Sequence, residues 1–138
     1  MKYGMYVAAA MLAAAVGVTA TSPQKTVRDK VYTKEQATKA SEQFEKFCAK
    51  CHIKEKVPEG KKPGPSLTGE EFLANWQDRT LAELLENIYT TMPNDGATTL
   101  TKEETADLAA LILQMNKYPE GTEPLKYDDS AKAITIVK

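Results

Sequence analysis

Cys48-Ala49-Lys50-Cys51-His52 is the stretch from which the rest of this 138-residue chain is read. Its spacing, C-x-x-C-H, is the attachment signature of a c-type haem. Two thiols one helical turn apart can each add across a vinyl group of the porphyrin, and the adjacent histidine can reach the iron from the same side. A thioredoxin-type dithiol would need a βαβ context, but the flanks here are helical in pattern, with no strand ahead of them. A structural zinc site normally takes four protein ligands. The chain holds two cysteines and one histidine, all inside these five residues.

Working outward, the residues before the motif carry a helical pattern. Thr33 with Gln36 forms a capping box, and Ala37, Ala40, Phe44, Phe47 and Cys48 then recur at three- and four-residue intervals as one apolar face. Lys34, Lys39, Glu42 and Lys46 take the other face. After the motif, Ile53 to Lys62 carries charge with Pro58 and Gly60 and is expected as an exposed loop. Thr68 with Glu71 opens a short helix through Trp76. Thr80 with Glu83 opens another, whose apolar face is Leu81, Leu84, Leu85 and Ile88. Pro93 stops that helix ahead of Met92, and Asn94-Asp95-Gly96 makes a turn. Thr101 with Glu104 opens the last helix, lined by Leu108, Leu111, Ile112 and Met115 up to Tyr118-Pro119. The reading is all-α, with four to five helices.

Length and charge bound the remainder. The chain suffices for one small domain, and a large apolar cofactor would supply much of a core that so short a chain lacks. The net charge of −1 gives no footprint for nucleic acid. Charge is unevenly spread: residues 25–62 carry eleven Lys/Arg against six Asp/Glu, and residues 63–138 carry six against thirteen. Such asymmetry can steer docking of a redox partner.

Residues 1–20 begin with Lys2, run uncharged from Val7 to Val18 and end Val18-Thr19-Ala20, the pattern of a cleavable secretory signal. The run is shorter than the ~20 residues a spanning helix needs, so no stable membrane insertion is expected after processing. The mature protein is expected in the periplasm. Residues 21–32 read as a flexible N-terminal arm, 33–118 as the domain, and 119–138 as an irregular C-terminal extension.

From Val31 to Leu125 the chain resembles a class I, monohaem cytochrome c. The resemblance is carried by Phe44 four residues before Cys48, the Cys48-to-His52 motif, Gly64-Pro65-Ser66-Leu67, Trp76, and Thr90-Thr91-Met92-Pro93 ahead of a final helix. It departs from the family at Ala40, usually glycine, and near Leu111, where many relatives carry an aromatic. Gly64 to Asn116 is further similar to small periplasmic cytochromes associated with quinoprotein dehydrogenases. The resemblance implies the small cytochrome c fold wrapped around one covalently attached haem c. It also implies that the Pro65 carbonyl accepts a hydrogen bond from the ring of His52, tuning the ligand, and that Leu67 faces the porphyrin. Trp76 has an indole N–H suited to a haem propionate, although a lone tryptophan is also an ordinary core residue. Arg79 is a second candidate for the propionate.

With His52 as one axial ligand, function turns on the sixth position of the iron. The chain has no second histidine, and of its five methionines Met1, Met5 and Met11 lie in the leader. Met115 continues the apolar face of a helix, where methionine ordinarily packs. Met92 sits in a loop with threonines and a proline shaping the backbone, matching the ligand loop of the resembled family; a lysine or an open position are the other options. Histidine and thioether ligation favours one-electron transfer. The expected function is therefore an electron carrier with no catalytic residues, taking electrons from a dehydrogenase and passing them to an oxidase or another cytochrome. The competing class is a haem peroxidase or gas sensor with a labile sixth ligand.

Overall fold

The computed structural model describes residues 23–138; the leader expected over residues 1–20 lies outside them. The expected first helix exists but is bent twice. It runs as α1 (Lys34–Lys39), α2 (Ser41–Phe47) and α3 (Ala49–His52). Ala40 and Cys48 keep right-handed helical backbone between the pieces, and the amides of Phe44 and Cys48 still donate four residues back, to Ala40 and Phe44. The path is therefore close to continuous from Thr33 to His52. Three further helices follow: α4 (Gly69–Trp76), α5 (Leu81–Thr91) and α6 (Lys102–Met115). The fold is a small all-α fold, as the periodicity implies.

The last helix crosses the first at small side chains. Ala37, Ala40, Ala106, Ala109 and Ala110 are all buried, so the backbones approach closely without the family's usual glycine at position 40. Phe44 is buried at 4% exposure and Leu111 at 8%, so the expected aromatic is in place on the first helix and a leucine stands on the last where the resembled family often has a second aromatic. Buried Asp107 on α6 pairs with Lys39 at 3.0 Å, and an acid taken out of water is tolerated because of that partner.

Capping explains where α5 and α6 begin. Thr80 and Thr101 each accept the amide of the glutamate three residues on, and Glu83 and Glu104 each return a carboxylate to the cap amide. The other two expected boxes are incomplete. At Thr33 the threonine accepts the Gln36 amide at 3.2 Å, but the Gln36 side chain is buried and turned to Leu125, donating to its carbonyl and accepting its amide. At Thr68 no side-chain cap forms. Asn116, at the end of α6, caps α4 instead, accepting the Gly69 amide at 3.0 Å and donating to the Leu67 carbonyl at 2.8 Å. A cap lent by a helix nearly fifty residues away has no local signature.

The two ends of the described chain meet on the domain, residues 119–128 forming no helix or strand. β1 (Lys25–Thr26) pairs in parallel with β2 (Ile134–Thr135), and a short 3₁₀ turn, Asp129–Ala133, precedes β2. Val27, Val31, Tyr32, Leu125, Ile134 and Ile136 are all buried. These apolar residues have no helical or strand period in the sequence, and only the pairing of the two ends gives them an interior to enter. At the same junction a Cβ on Gly121 would lie 2.2 Å from the Lys30 carbonyl oxygen, so the position admits only glycine.

Candidate haem site

The motif folds as a helical turn. The His52 amide donates to the Cys48 carbonyl at 2.9 Å and that of Cys51 to the same oxygen at 3.1 Å. Cys48 and Cys51 are both free thiols on this turn, the first half-buried and the second exposed. Burial, reinforced by the neighbouring Cys51, pushes the Cys48 thiol up to about 11. A dithiol catalyst needs the opposite shift, toward thiolate at neutral pH.

The segment after the loop then closes on the histidine. His52 Nδ1 lies 2.7 Å from the Pro65 carbonyl oxygen, the contact the resemblance implies for this proline. That carbonyl has no proton to give, so the ring donates through Nδ1 and leaves Nε2 free as a ligand nitrogen. The Gly64 amide donates to the Cys51 carbonyl at 2.9 Å. A Cβ on Gly64 would stand 3.0 Å from His52 Cε1 and 3.1 Å from Nδ1. The Cε1 and Nδ1 atoms of the ring therefore crowd the Gly64 backbone, and a side chain there would make the ring give by a few tenths of an ångström.

On the opposite wall, α5 ends where the proline requires. Its last residue is Thr91, and Met92 is extended at φ −120° and ψ 146°, the region favoured ahead of proline. The Thr90 and Thr91 hydroxyls donate back to the Glu86 and Asn87 carbonyls at 2.7 and 2.6 Å, holding the final turn. Beyond Pro93 the carboxylate of Asp95 accepts the Ala97 and Thr98 amides at 3.0 and 2.8 Å and the Thr98 hydroxyl at 2.7 Å. These bonds, led by the Thr98 amide, lower its acid range to about 2, so the turn stays tied wherever the carboxylate is ionised. Met92 is thus held between two braced stretches.

These walls face one another across a cavity of about 410 Å³, and its lining includes Cys48, Cys51, His52, Pro65, Leu67, Trp76 and Met92. All seven candidate residues meet in one place. The floor is apolar, made by Leu84 and Ile88 from α5 and Leu108 and Ile112 from α6. Sequence reasoning assigned those four to helix faces but not to the site; their spacing of four residues on each of two facing helices is the signal that places them together. Phe47, Lys50, Lys62 and Asp95 also reach the cavity without having been singled out for it.

Arg79 is placed elsewhere. Its guanidinium lies 4.6 Å from the centre of the Trp76 ring and 3.0 Å from the Glu83 carboxylate, and it does not line the cavity. Met115 is also absent from it, lining instead an adjoining cleft of about 660 Å³ that shares His52, Pro65 and Leu67 with the cavity. That cleft touches neither cysteine nor Met92.

The cavity suits a c-type haem. It offers two thiols for covalent attachment, an imidazole already hydrogen-bonded through its second nitrogen, a thioether on another wall and an apolar floor, in a volume typical of ligand sites. Among the described residues no group of three or more His, Cys, Asp or Glu side chains is placed to hold a metal ion directly, so the zinc alternative has no ligand cluster there. No helix among those residues is long and apolar enough to cross a membrane.

A family model described as cytochrome c oxidase, cbb3-type, subunit III matches residues 35–112. No curated protein and no solved structure matches the chain.

Proposed function

This chain belongs to the c-type cytochrome family described as cytochrome c oxidase, cbb3-type, subunit III, and from that membership we propose that it is a single-electron carrier with His52 and Met92 as the axial ligands of one covalently bound haem c. Bound haem c supplies a one-electron couple. The chain's own residues set how that couple is used. Cys48 and Cys51 hold the group from the motif side, and the Pro65 carbonyl makes His52 a stronger donor. Met92 favours the reduced state and raises the potential. With both axial positions filled by protein, no site is left for a substrate or a gas. The observation that carries this reading is that Met92 lines the cavity that brings Cys48, Cys51 and His52 together, while the cleft lined by Met115 reaches His52 but neither cysteine.

The partner face is the mouth of that cavity. Cys51 is exposed there, and Lys50 and Lys62 stand exposed at its rim. Both lysines belong to the 25–62 stretch with its excess of positive charge, and Asp95 is an exposed acid lining the same cavity. Complementary charge raises the rate of encounter more than it raises affinity, which suits a carrier that must dock and leave. Its partners are then redox proteins with acidic docking surfaces, a dehydrogenase as donor and an oxidase or another cytochrome as acceptor. The similarity of Gly64 to Asn116 to cytochromes that serve quinoprotein dehydrogenases supports the donor side. The motif together with the leader pattern of residues 1–20 supports a periplasmic place for this work.

Chain produced in a haem-attaching host and purified from the periplasm is expected to show, by intact mass, a start close to Thr21 and the mass of one haem. Both cysteines should be blocked to alkylation. Two alkylatable thiols on chain matured in that host would sink the assignment.

A further inference from the structure

The last residues of the chain touch the haem cavity through one turn. Trp76, at the end of α4, lines the cavity, and the chain then passes through Gln77 and Asp78 to Arg79 before α5 begins. Asp78 is in the left-handed region at φ 65°, a conformation that non-glycine residues hold only where their surroundings fix it. The fixing comes from Ile136. The Asp78 amide donates to the Ile136 carbonyl at 2.8 Å, and the Ile136 amide donates to the Arg79 carbonyl at 2.9 Å.

The residue that grips the turn is itself anchored on several sides. Ile136 is wholly buried. Its neighbour Thr135 accepts the Val27 amide at 3.0 Å and the Gln24 side chain at 2.6 Å. The Tyr118 hydroxyl donates to the Val137 carbonyl at 2.5 Å, and Arg28 Nε to the Lys138 carbonyl at 2.8 Å. The tail is thus tied to the N-terminal arm and to the residues just beyond α6, and its free face holds the Trp76–Arg79 turn.

We propose that Ile136 is a positioning residue of the haem site: its wholly buried side chain seats the backbone amide and carbonyl that bond the 78–79 turn, and that turn holds the Trp76 indole, with Arg79 stacked on it, at the cavity wall. The proposal rests on the haem assignment above. Trp76 presents an N–H donor at the cavity wall, while Arg79, paired with Glu83, braces its ring without reaching the cavity. That donor would offset the negative charge of the haem carboxylates, and loosening the turn would leave that charge less compensated. Uncompensated negative charge favours the oxidised, more positive state of the iron, so the potential falls when the grip is weakened.

The test uses the full-length holoprotein. In unaltered protein the Asp78 amide is expected to be strongly protected from hydrogen exchange. In Ile136→Ala, which keeps the backbone amide and carbonyl but removes the buried side chain that seats them, it should exchange faster, the emission of the lone tryptophan should rise as its distance from the quenching haem becomes variable, and the potential should drop, with the visible band of methionine-ligated iron retained. Leu125→Ala is the matched control: Leu125 is equally a buried residue of the tail, but it is bonded to Gln36 and not to the turn. It should lower Tm without moving emission or potential.

The proposal is overturned if Ile136→Ala lowers Tm alone, as the control does. Rapid exchange of the Asp78 amide in unaltered protein overturns it as well, whatever the variant does. Either result with the haem attached and the methionine band present leaves the carrier assignment standing. Absence of attached haem in unaltered protein removes both.

Discussion

Met92→Ala is expected to lower the reduction potential by on the order of a tenth of a volt or more, within the ~0.8 V range over which axial ligands set haem potentials. The thioether that favours ferrous iron is gone, and among the described residues no other methionine lines the cavity to replace it. The reduced variant should also bind carbon monoxide. The fold should survive, because Met92 is only half-buried and its amide still donates to the Ile88 carbonyl at 3.1 Å. Truncating a partly exposed methionine costs about 1–2 kcal/mol, below the range for a fully buried one. Met115→Ala is the comparison, since Met115 is half-buried too but lines the other cleft. It should cost a similar amount of stability and leave potential and carbon monoxide binding unchanged. A Met92 variant with native potential would assign the ligand wrongly.

Gly64→Ala is expected to move the potential the other way. The new methyl carbon would meet His52 Cε1 at 3.0 Å and Nδ1 at 3.1 Å, with the Cys51 carbonyl oxygen behind it at 3.5 Å, so the ring has to give. A ring displaced by a few tenths of an ångström weakens its 2.7 Å contact with the Pro65 carbonyl. The imidazole then becomes a weaker donor, ferric iron is less stabilised, and the potential rises. Loss of such supporting contacts typically costs about 10–100-fold in metal affinity or activity, and the overpacking adds about 1–3 kcal/mol of destabilisation. Pro65→Ala should be far milder, because the acceptor is a backbone carbonyl that alanine retains. Opposite signs for the Met92 and Gly64 variants separate effects on the two sides of the iron from general loosening of the fold.

Much of this site is legible in the sequence because the chemistry sits in short, ordered pieces. Cys48 to His52 fix attachment, Pro93 stops α5 ahead of Met92, and Thr80 and Thr101 start α5 and α6 through boxes complete within four residues. The Pro65 contact is legible only through resemblance, since nothing in a Gly-Pro pair by itself says which ring its carbonyl will meet. What escapes the sequence is long-range. Thr68 and Glu71 have the letters of a capping box, but Asn116 takes the amide they would serve. Gln36 has the letters of another, yet its side chain satisfies the backbone of Leu125, 89 residues away.

The two ends of the domain are illegible for a related reason. Lys25–Thr26 and Ile134–Thr135 are two-residue strands, too short to show alternation, and each has a partner only because the other is there. Arg79 shows a different limit: its charge made it a candidate for the propionate, while stacking on Trp76 and pairing with Glu83 hold it off the cavity wall. A side chain's chemistry can be read in isolation, but its rotamer is set by neighbours.

The central claim, that both axial positions are filled by His52 and Met92, is tested most directly by exposing the reduced, unmodified holoprotein to carbon monoxide and following its visible spectrum. The carrier assignment predicts no spectral change at neutral pH, because the thioether occupies the position the gas would need. Rapid, stoichiometric formation of a carbon monoxide complex would contradict it, showing an open sixth site and moving the protein to the class of haem enzymes or sensors.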